Sequence, residues 1–505
     1  MWVHTGRAVG RRPQGALLSI FLDTGNAPLW RRLGDSIRTA VTQGVLAPGA
    51  RLPSARSLAA DLHVSRATVE SALGELEAEG LIERRMGSGS FVSPLAGRDL
   101  RPSSPPRAPP RSVPPPPAPR ALSERGRQLV AWGSPVLPNM RSTFTLKPPA
   151  EDFPHAAWAK LASRCLREGG AALALDLDPL GHLPLRQAIA QHLRTNRGMH
   201  CAADNVLIVG STQEAFVLCA HALLSPGDEV WMEDPGYPGA TGAFRMAGAQ
   251  IVPVPVDADG LRVQDGVRAA PHARLVYITP SCQFPCGVTL SRERRETLLR
   301  WAEASGAWVF EDDYDSELRY AGLPLAALHA HDAGARTLYA GTFSKTLFPS
   351  LRVAYLVAEP DTVRDLAAVR ANFGGPPGAG VQATLAAFLD EGLLGAHVRH
   401  LRARCEERRA ALLDAAAREL GARITIHAGD TGQHAVAWLA HGEDDDATVS
   451  QRARAAGLDV PPLSQYVIAH PQPPALVIGY TSATPAAIRA AVRTLAHCLS
   501  AGAIT

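Results

Sequence analysis

What is scarce in this chain narrows the reading first. Net charge is only +3 over 505 residues, so the whole molecule is not marked as a nucleic-acid binder and any such signal must be local. No apolar run approaches the length of a membrane span, and no membrane partner is expected. The N-terminus carries Arg7, Arg11 and Arg12 before Ala16–Leu22, which imitates a twin-arginine leader. Its apolar part is short and Asp23 follows directly, so it reads as a basic tail. The seven cysteines are odd in number and scattered, with no CxxC pair and no Cys/His zinc spacing. That favours reduced thiols in a cytoplasmic protein over a disulfide framework, and no metal site is expected. No internal repeat is visible. What is present is ordinary for a globular chain: 46% hydrophobic residues, and length enough for two or three domains.

The local signals begin near the N-terminus. Leu29, Leu33, Ile37 and Val41 recur every four positions, one face of an amphipathic helix ended by Gly44. Ser54 is placed to cap a second helix with Leu58, Ala59 and Leu62 on its core face, and Ser65 a third that runs from Arg66 to Gly80. His63-Val64 is a tight turn between them. Two short helices so joined read as helix-turn-helix, in which the start of the second meets base edges and phosphates. Residues 81–92 read as a two-stranded wing. Its Gly87-Ser-Gly89 tip allows close backbone approach to a minor groove, and Arg84 and Arg85 add charge. Residues 94–120, rich in proline and arginine, cannot build a core and read as a semi-extended linker.

From about Arg141 strands and helices alternate, which argues a mostly parallel sheet with functional loops at the strand C-termini. The densest chemistry lies in 337–352. A short apolar strand breaks at Gly341 into hydroxyls and then one lysine, Lys345, in uncharged company. Poor solvation lowers such a lysine's pKa and makes it a usable amine nucleophile. Thr342, Ser344 and Arg352 suit a phosphate. A nucleophilic lysine beside a phosphate cradle is what pyridoxal phosphate (PLP) requires. Upstream, the apolar strand Trp308–Phe310 runs into Glu311-Asp-Asp-Tyr-Asp315. A buried carboxylate keeps the cofactor's ring nitrogen protonated; Asp312 or Asp313 can do this, and Tyr314 can hydrogen-bond the ring oxygen.

These segments resemble the fold-type I aminotransferases. EDDYDSELRY (311–320), TPSCQFPCGVTLS (279–291) and GTFSKTLFPSLR (341–352), with LPSARSLA and GSGSFV upstream, resemble the MocR/GabR family of bacterial transcription regulators more closely. That family fuses a GntR-type winged helix to an aminotransferase-like domain. The resemblance implies a basic tail at 1–19, a winged helix-turn-helix at 20–93 and a Pro/Arg-rich linker at 94–140. It further implies an α/β aminotransferase-like large domain with a mostly parallel sheet at 141–380, and connecting helices with a small α+β subdomain at 381–505. It implies PLP held as an internal aldimine on Lys345, with Asp312, Tyr314, Arg352, Thr342 and Ser344 around it, Ser211 and Thr212 at the phosphate, and Tyr237 stacked on the ring. Arg56, Ser65, Arg66 and Thr68, with Gly87 and Gly89 at the wing, are the implied contacts to a double-stranded DNA operator, read by a homodimer. Phe373–Gln382 would meet the partner subunit. Glu70 departs from the family's neutral or basic residue; it faces a cytosine amine or points away. Cys282 and Cys286 stand where His and a small hydroxyl residue are usual.

The arginine that aminotransferases carry for a substrate carboxylate is missing from 462–466 and 476–480. The expected function is therefore a cytoplasmic PLP-dependent regulator that senses an amine or amino-acid effector, or PLP itself, with at most a residual transaminase half-reaction. The alternative is an active aminotransferase that carries a DNA-binding domain.

Overall fold

The computed structural model describes residues 27–85, 87–94, 122–132, 143–148, 150–175, 178–320, 325–332, 336–429, 431–442 and 444–500. The basic tail and most of the expected linker lie outside them. The chain divides into two compact units, Met1–Arg120 and Ala121–Thr505.

In the first unit, helices α1 (Leu29–Thr42), α2 (Ala55–Asp61) and α3 (Arg66–Ala78) precede the antiparallel pair β1 (Ile82–Arg85) and β2 (Gly89–Val92). The four-residue spacing of Leu33, Ile37 and Val41 buries all three against Leu58, Val69, Leu73 and Val92. Leu29, expected on the same face, is 46% exposed because it opens the helix beyond its partners. Ser54 and Ser65 cap as their positions require, accepting the Ser57 and Thr68 amides at 3.1 Å. Each cap is worth about 1 kcal/mol. His63 makes the turn between α2 and α3 at φ +53°.

The second unit is built on an eight-stranded sheet. Its strands are β3 (Val206–Val209), β4 (Glu229–Asp234), β5 (Gln250–Asp257), β6 (Gly260–Leu261), β7 (Leu275–Ile278), β8 (Trp308–Asp313), β9 (Thr337–Thr342) and β10 (Ala354–Val357). Their order is β3-β10-β9-β8-β7-β4-β5-β6. The run from β9 through β8, β7 and β4 to β5 is parallel, while β10 opposes both its neighbours and β6 opposes β5. Strands β3, β7 and β10 are buried at every residue, as expected where helices cover both faces. In the β8–β9 pair Asp312 lies opposite Ala340 and Asp313 opposite Gly341, which brings the acidic strand end beside the turn that carries Lys345. Gly341 has to be glycine: a Cβ there would sit 2.4 Å from the Tyr355 hydroxyl.

A smaller antiparallel sheet, β11 (Ile424–His427), β12 (His434–Leu439) and β13 (Ala475–Gly479), has its own core with Leu412, Val449, Ile478 and Val492. The helix Leu393–Glu419 leads into it. The arginine run on that helix is only partly a solvated face. Arg408 is buried on Asp152 at 2.7 Å and on the Thr481 carbonyl at 2.8 Å, while Arg402 and Arg409 donate to the carbonyls of Glu317 and Ala428.

The smaller subdomain is tied to the large sheet at its strand ends. Asp234 accepts the amides of Ile468, Ala469 and His470 at 2.7, 2.8 and 2.7 Å, with His470 Nδ1 at 2.9 Å. The Gly236 amide donates to Tyr466 O at 3.0 Å. Asp315 accepts the Gln433 amide at 3.0 Å and its Nε2 at 3.1 Å.

Candidate functional site

The chemistry converges at the C-terminal ends of β8 and β9. Lys345 is half-buried, and its Nζ donates to the Leu146 carbonyl at 2.9 Å. Burial lowers its pKa, against the opposing pull of Asp315 and Asp312, so the free-amine form is favoured relative to an ordinary lysine. Lys147, Lys160 and Lys345 are the only lysines in the chain, a signal the motif alone does not convey.

The two candidate acids separate in the fold because successive strand residues face opposite ways. Asp313 is engaged through Oδ2, with Arg197 Nη2 2.8 Å away and the Tyr339 hydroxyl donating at 2.5 Å, while its Oδ1, also buried, has no hydrogen-bond partner among the described residues; of the two acids, Asp312 is the one whose charge acts on Lys345. Asp312 accepts from Tyr277 at 2.8 Å through Oδ2. Its Oδ1 is buried with no hydrogen-bond partner among the described residues. Burial raises its pKa to about 7. A buried acceptor left open costs about 1–3 kcal/mol, so it marks where a donor belongs.

At the other end of the site Ser211 caps the helix Thr212–Leu223, accepting the Glu214 amide at 3.1 Å, and receives Arg352 Nη2 at 3.4 Å. Ser211, Glu214, Arg352 and Arg370 line a cleft of about 410 Å³. Arg352 holds a left-handed backbone, φ +52°, unusual for a residue with a Cβ. Thr342 Oγ1 accepts the Ser344 amide at 3.1 Å and so shapes the turn before Lys345. Tyr237 is half-buried beside Phe216 and Phe284, at 6.1 and 5.7 Å between ring centroids. A Cβ at Gly239 would lie 2.6 Å from the Tyr237 ring, so the glycine is what lets the ring stand there. The Tyr314 hydroxyl is directed at Cys282 Sγ, 3.6 Å away.

In the first unit Arg56 and Arg66 project into solvent, while Thr68 is half-buried with its hydroxyl 2.8 Å from Ser65 Oγ. Gly87 and Gly89 adopt φ +73° and +106° at the wing tip. Glu70 faces inward to the wing, accepting Arg84 Nη1 at 3.0 Å, with Arg66 Nε at 3.8 Å. Arg84 also reaches Glu77 at 3.2 Å. Arg84 therefore braces the wing on α3, and Arg51, whose guanidinium is 3.4 Å from where a Gly89 Cβ would lie, is the cation at the wing that the sequence reading missed.

Family comparisons fit both halves. Residues 29–92 match the bacterial regulatory proteins of the gntR family, and residues 148–495 match aminotransferase class I and II. The chain is 36% identical over 471 residues to the probable rhizopine catabolism regulatory protein MocR of Rhizobium meliloti, covering 93% of each chain. This chain belongs to the MocR-type regulators of the GntR family. The regulator is also 34% identical over 440 residues to the pyridoxine biosynthesis transcriptional regulator PdxR of Corynebacterium glutamicum, covering 86% of this chain and 88% of that one. Among solved structures it is similar to LysN, the α-aminoadipate aminotransferase of Thermus thermophilus complexed with N-(5'-phosphopyridoxyl)-L-leucine. That match has a TM-score of 0.66 at 26% identity over 75% of this chain and 95% of LysN.

Sequence reasoning missed four residues at this MocR-type regulator's site. Tyr277 supports Asp312 from the neighbouring strand. Asp315 is buried near Lys345, its pKa raised by burial to about 6. Gln433 bridges Asp315 and the Lys345 carbonyl, the latter at 2.8 Å. His434 is buried on the Pro285 carbonyl at 3.0 Å, its pKa lowered by burial to about 4. Asp315 was within the quoted motif; Gln433 and His434 carry no local signal, because only the fold of the smaller subdomain brings them here. Burial raises the pKa of both thiols, that of Cys286 to about 12 and that of Cys282 further, so neither has the thiolate a redox sensor needs. All seven cysteines are free. No cluster fit to hold a metal occurs among the described residues, and no helix there is long and apolar enough to cross a membrane.

Proposed function

We propose that this chain is a transcription regulator that binds operator DNA through its winged helix and senses an amine, an amino acid or PLP itself at Lys345. The observation that carries the reading is the orphaned Asp312 Oδ1 beside a desolvated lysine. A protonated pyridine nitrogen would supply the donor that this oxygen lacks. The other residues suit the same cofactor. Lys345 would hold it covalently, Tyr237 would lie against its ring, and Ser211, Thr212 and Arg352 would take its phosphate at a helix N-terminus. Bound there, PLP supplies an electrophilic carbon with which amines condense.

The chain's own residues do the rest. Asp312 would hold the proton on the ring nitrogen, burial shifts Lys345 toward the free amine, and Thr342 and Ser344 hold the turn. A ligand changes DNA binding only if it prefers one arrangement of the protein over another. Arg56, Ser65, Arg66 and Thr68 would meet DNA from the first turns of α2 and α3, with Gly87 and Gly89 at the wing. One winged helix seldom suffices for specificity, and a homodimer reading two half-sites would supply it. Work on chromosomal DNA places such a regulator in the cytoplasm.

The test is reduction of the PLP-loaded protein with borohydride, followed by peptide mass mapping. The phosphopyridoxyl mass is expected on Lys345 and absent from Lys345→Ala. Labelling of Lys147 or Lys160 instead, or a Lys345→Ala protein that keeps full PLP affinity and effector response, would sink the reading.

A further inference from the structure

Resting on the reading of Lys345 as the cofactor lysine, we infer that Asp315 is the counter-charge that sets how tightly Lys345 holds its proton, and that Gln433 is the residue that positions it. The loop after β8 is bolted to residues 431–433 of the smaller subdomain. Arg319 bridges Thr431 along the backbone, the Gly432 amide donates to the Leu318 carbonyl at 3.0 Å, and Thr431 Oγ1 donates to the Asp315 carbonyl at 3.4 Å. A Cβ on Gly432, whose φ is +96°, would stand 3.2 Å from Asp315 Oδ2 and 3.1 Å from Cys282 Sγ. Glycine is what lets the segment pass so close to the carboxylate.

Gln433 then closes on both oxygens of Asp315. Its backbone amide donates to Oδ2 at 3.0 Å and its Nε2 to Oδ1 at 3.1 Å. The other Nε2 hydrogen goes to the Lys345 carbonyl at 2.8 Å, and Oε1 lies 3.3 Å from the Thr481 hydroxyl. Each polar atom of that side chain has a partner, which fixes the amide's orientation. One nitrogen thereby ties the carboxylate to the lysine's own residue. A carboxylate that accepts two N–H bonds ionises more readily than one buried without them. Burial raises Asp315 to about 6 and Asp312 to about 7, so at neutral pH Asp315 is the stronger pull on Lys345. Other titratable groups around the pair are neutral there: burial raises Cys282, Cys405, Tyr314, Tyr320 and Tyr480 and lowers His434. Asp313 is engaged by Arg197, and Arg408 and Arg409 act on Cys405 and Tyr480. An amine must be free to attack and protonated to leave, so a charge that holds the proton at this nitrogen serves its departure.

The experiment titrates Lys345 by nuclear magnetic resonance in the full-length, cofactor-free protein made with isotope-labelled lysine. The chain has three lysines, so the Lys345 signal is the one lost in Lys345→Ala, and Lys147 and Lys160 serve as references. Asp315→Asn should lower the Lys345 midpoint by about one pH unit or more, a tenfold loss of proton affinity, and Asp312→Asn should lower it less. Gln433→Met removes the side-chain bonds at similar volume and should lower it by an intermediate amount, with the two references unmoved. Thermal melts check folding; where Asp315→Asn does not fold, Gln433→Met decides. An unchanged or raised midpoint in the variant that decides, or a larger fall in Asp312→Asn, overturns the inference. The titration uses no cofactor, so that failure leaves the borohydride mapping of Lys345 standing. Absence of the phosphopyridoxyl mass on Lys345 overturns the cofactor reading and, with it, the purpose of the pair.

Discussion

The two units of this regulator put charge to opposite uses. In the winged helix the candidate contact residues Arg56 and Arg66 stand in solvent, and the ion pairs around them are partly exposed. Exposed pairs contribute about 0–1 kcal/mol, so these side chains are free to serve a ligand without supporting the fold. In the aminotransferase unit Asp312, Asp313, Asp315 and Glu233 are all buried, and burial lifts Glu233 to about 8. Those acids are held in place by packing and hydrogen bonds, and burial resists the ionisation of Asp312 and Glu233 at a cost to the empty fold. A DNA reader stays cheap to alter, whereas a cofactor site stores its specificity as strain in protonation.

Four substitutions break or sharpen that contrast. The largest effect is expected from Ile37→Ala in the winged-helix core, which should cost about 2–5 kcal/mol. Operator binding in a gel-shift assay should fail while PLP loading persists; parallel loss of both would deny the units their independence. Next is Asp312→Asn. The folded, cofactor-free protein holds a proton on Asp312 up to about pH 7, where the unfolded chain releases it near pH 3.8. Stability due to this group therefore falls as pH rises through that window. The cofactor-free variant should be more stable than wild type at pH 7.5, by on the order of a few kcal/mol at most, with the gap closing toward pH 4. Its PLP affinity should drop, so thermal melts with and without cofactor separate the two effects.

Arg66→Ala comes third. A lost phosphate or base contact is worth about 1–3 kcal/mol, so affinity for the operator should fall roughly tenfold or more and the salt dependence should flatten, with melting unchanged. The smallest effect belongs to Arg84→Ala, which frees Glu70 and Glu77. Stability should change by less than about 1 kcal/mol, while a loosened wing should bind operator less selectively against unrelated DNA. A large loss of stability would mean that the wing brace is part of the core.

How much of this was legible depended on range. The capped helices, the wing and the strand ends at Asp312 and Lys345 are written in runs of a few residues, where spacing and side-chain type suffice. Residue type alone could not choose between Asp312 and Asp313, and only the family resemblance favoured Asp312, because the choice turns on which face of β8 holds Arg197 and Tyr339. The two readings of Glu70 stayed open in the sequence for a similar reason: its partner Arg84 lies 14 positions away across a turn. Nothing in the sequence around Arg408 marks its burial, because its partner Asp152 lies more than 250 positions upstream. Gln433 and His434 come to Lys345 only when the smaller sheet is docked.

One of those docking contacts sets how the protein can move. Asp234 gathers three consecutive amides and an imidazole onto a single carboxylate, and Gly236 fastens Tyr466 beside it. A rocking of the small sheet would have to turn about this point or break every one of those bonds together. The Gly236–Tyr466 side is then the axle, and the Gln433 side, joined to Asp315 by two hydrogen bonds, is where such a motion would act on the surroundings of Lys345.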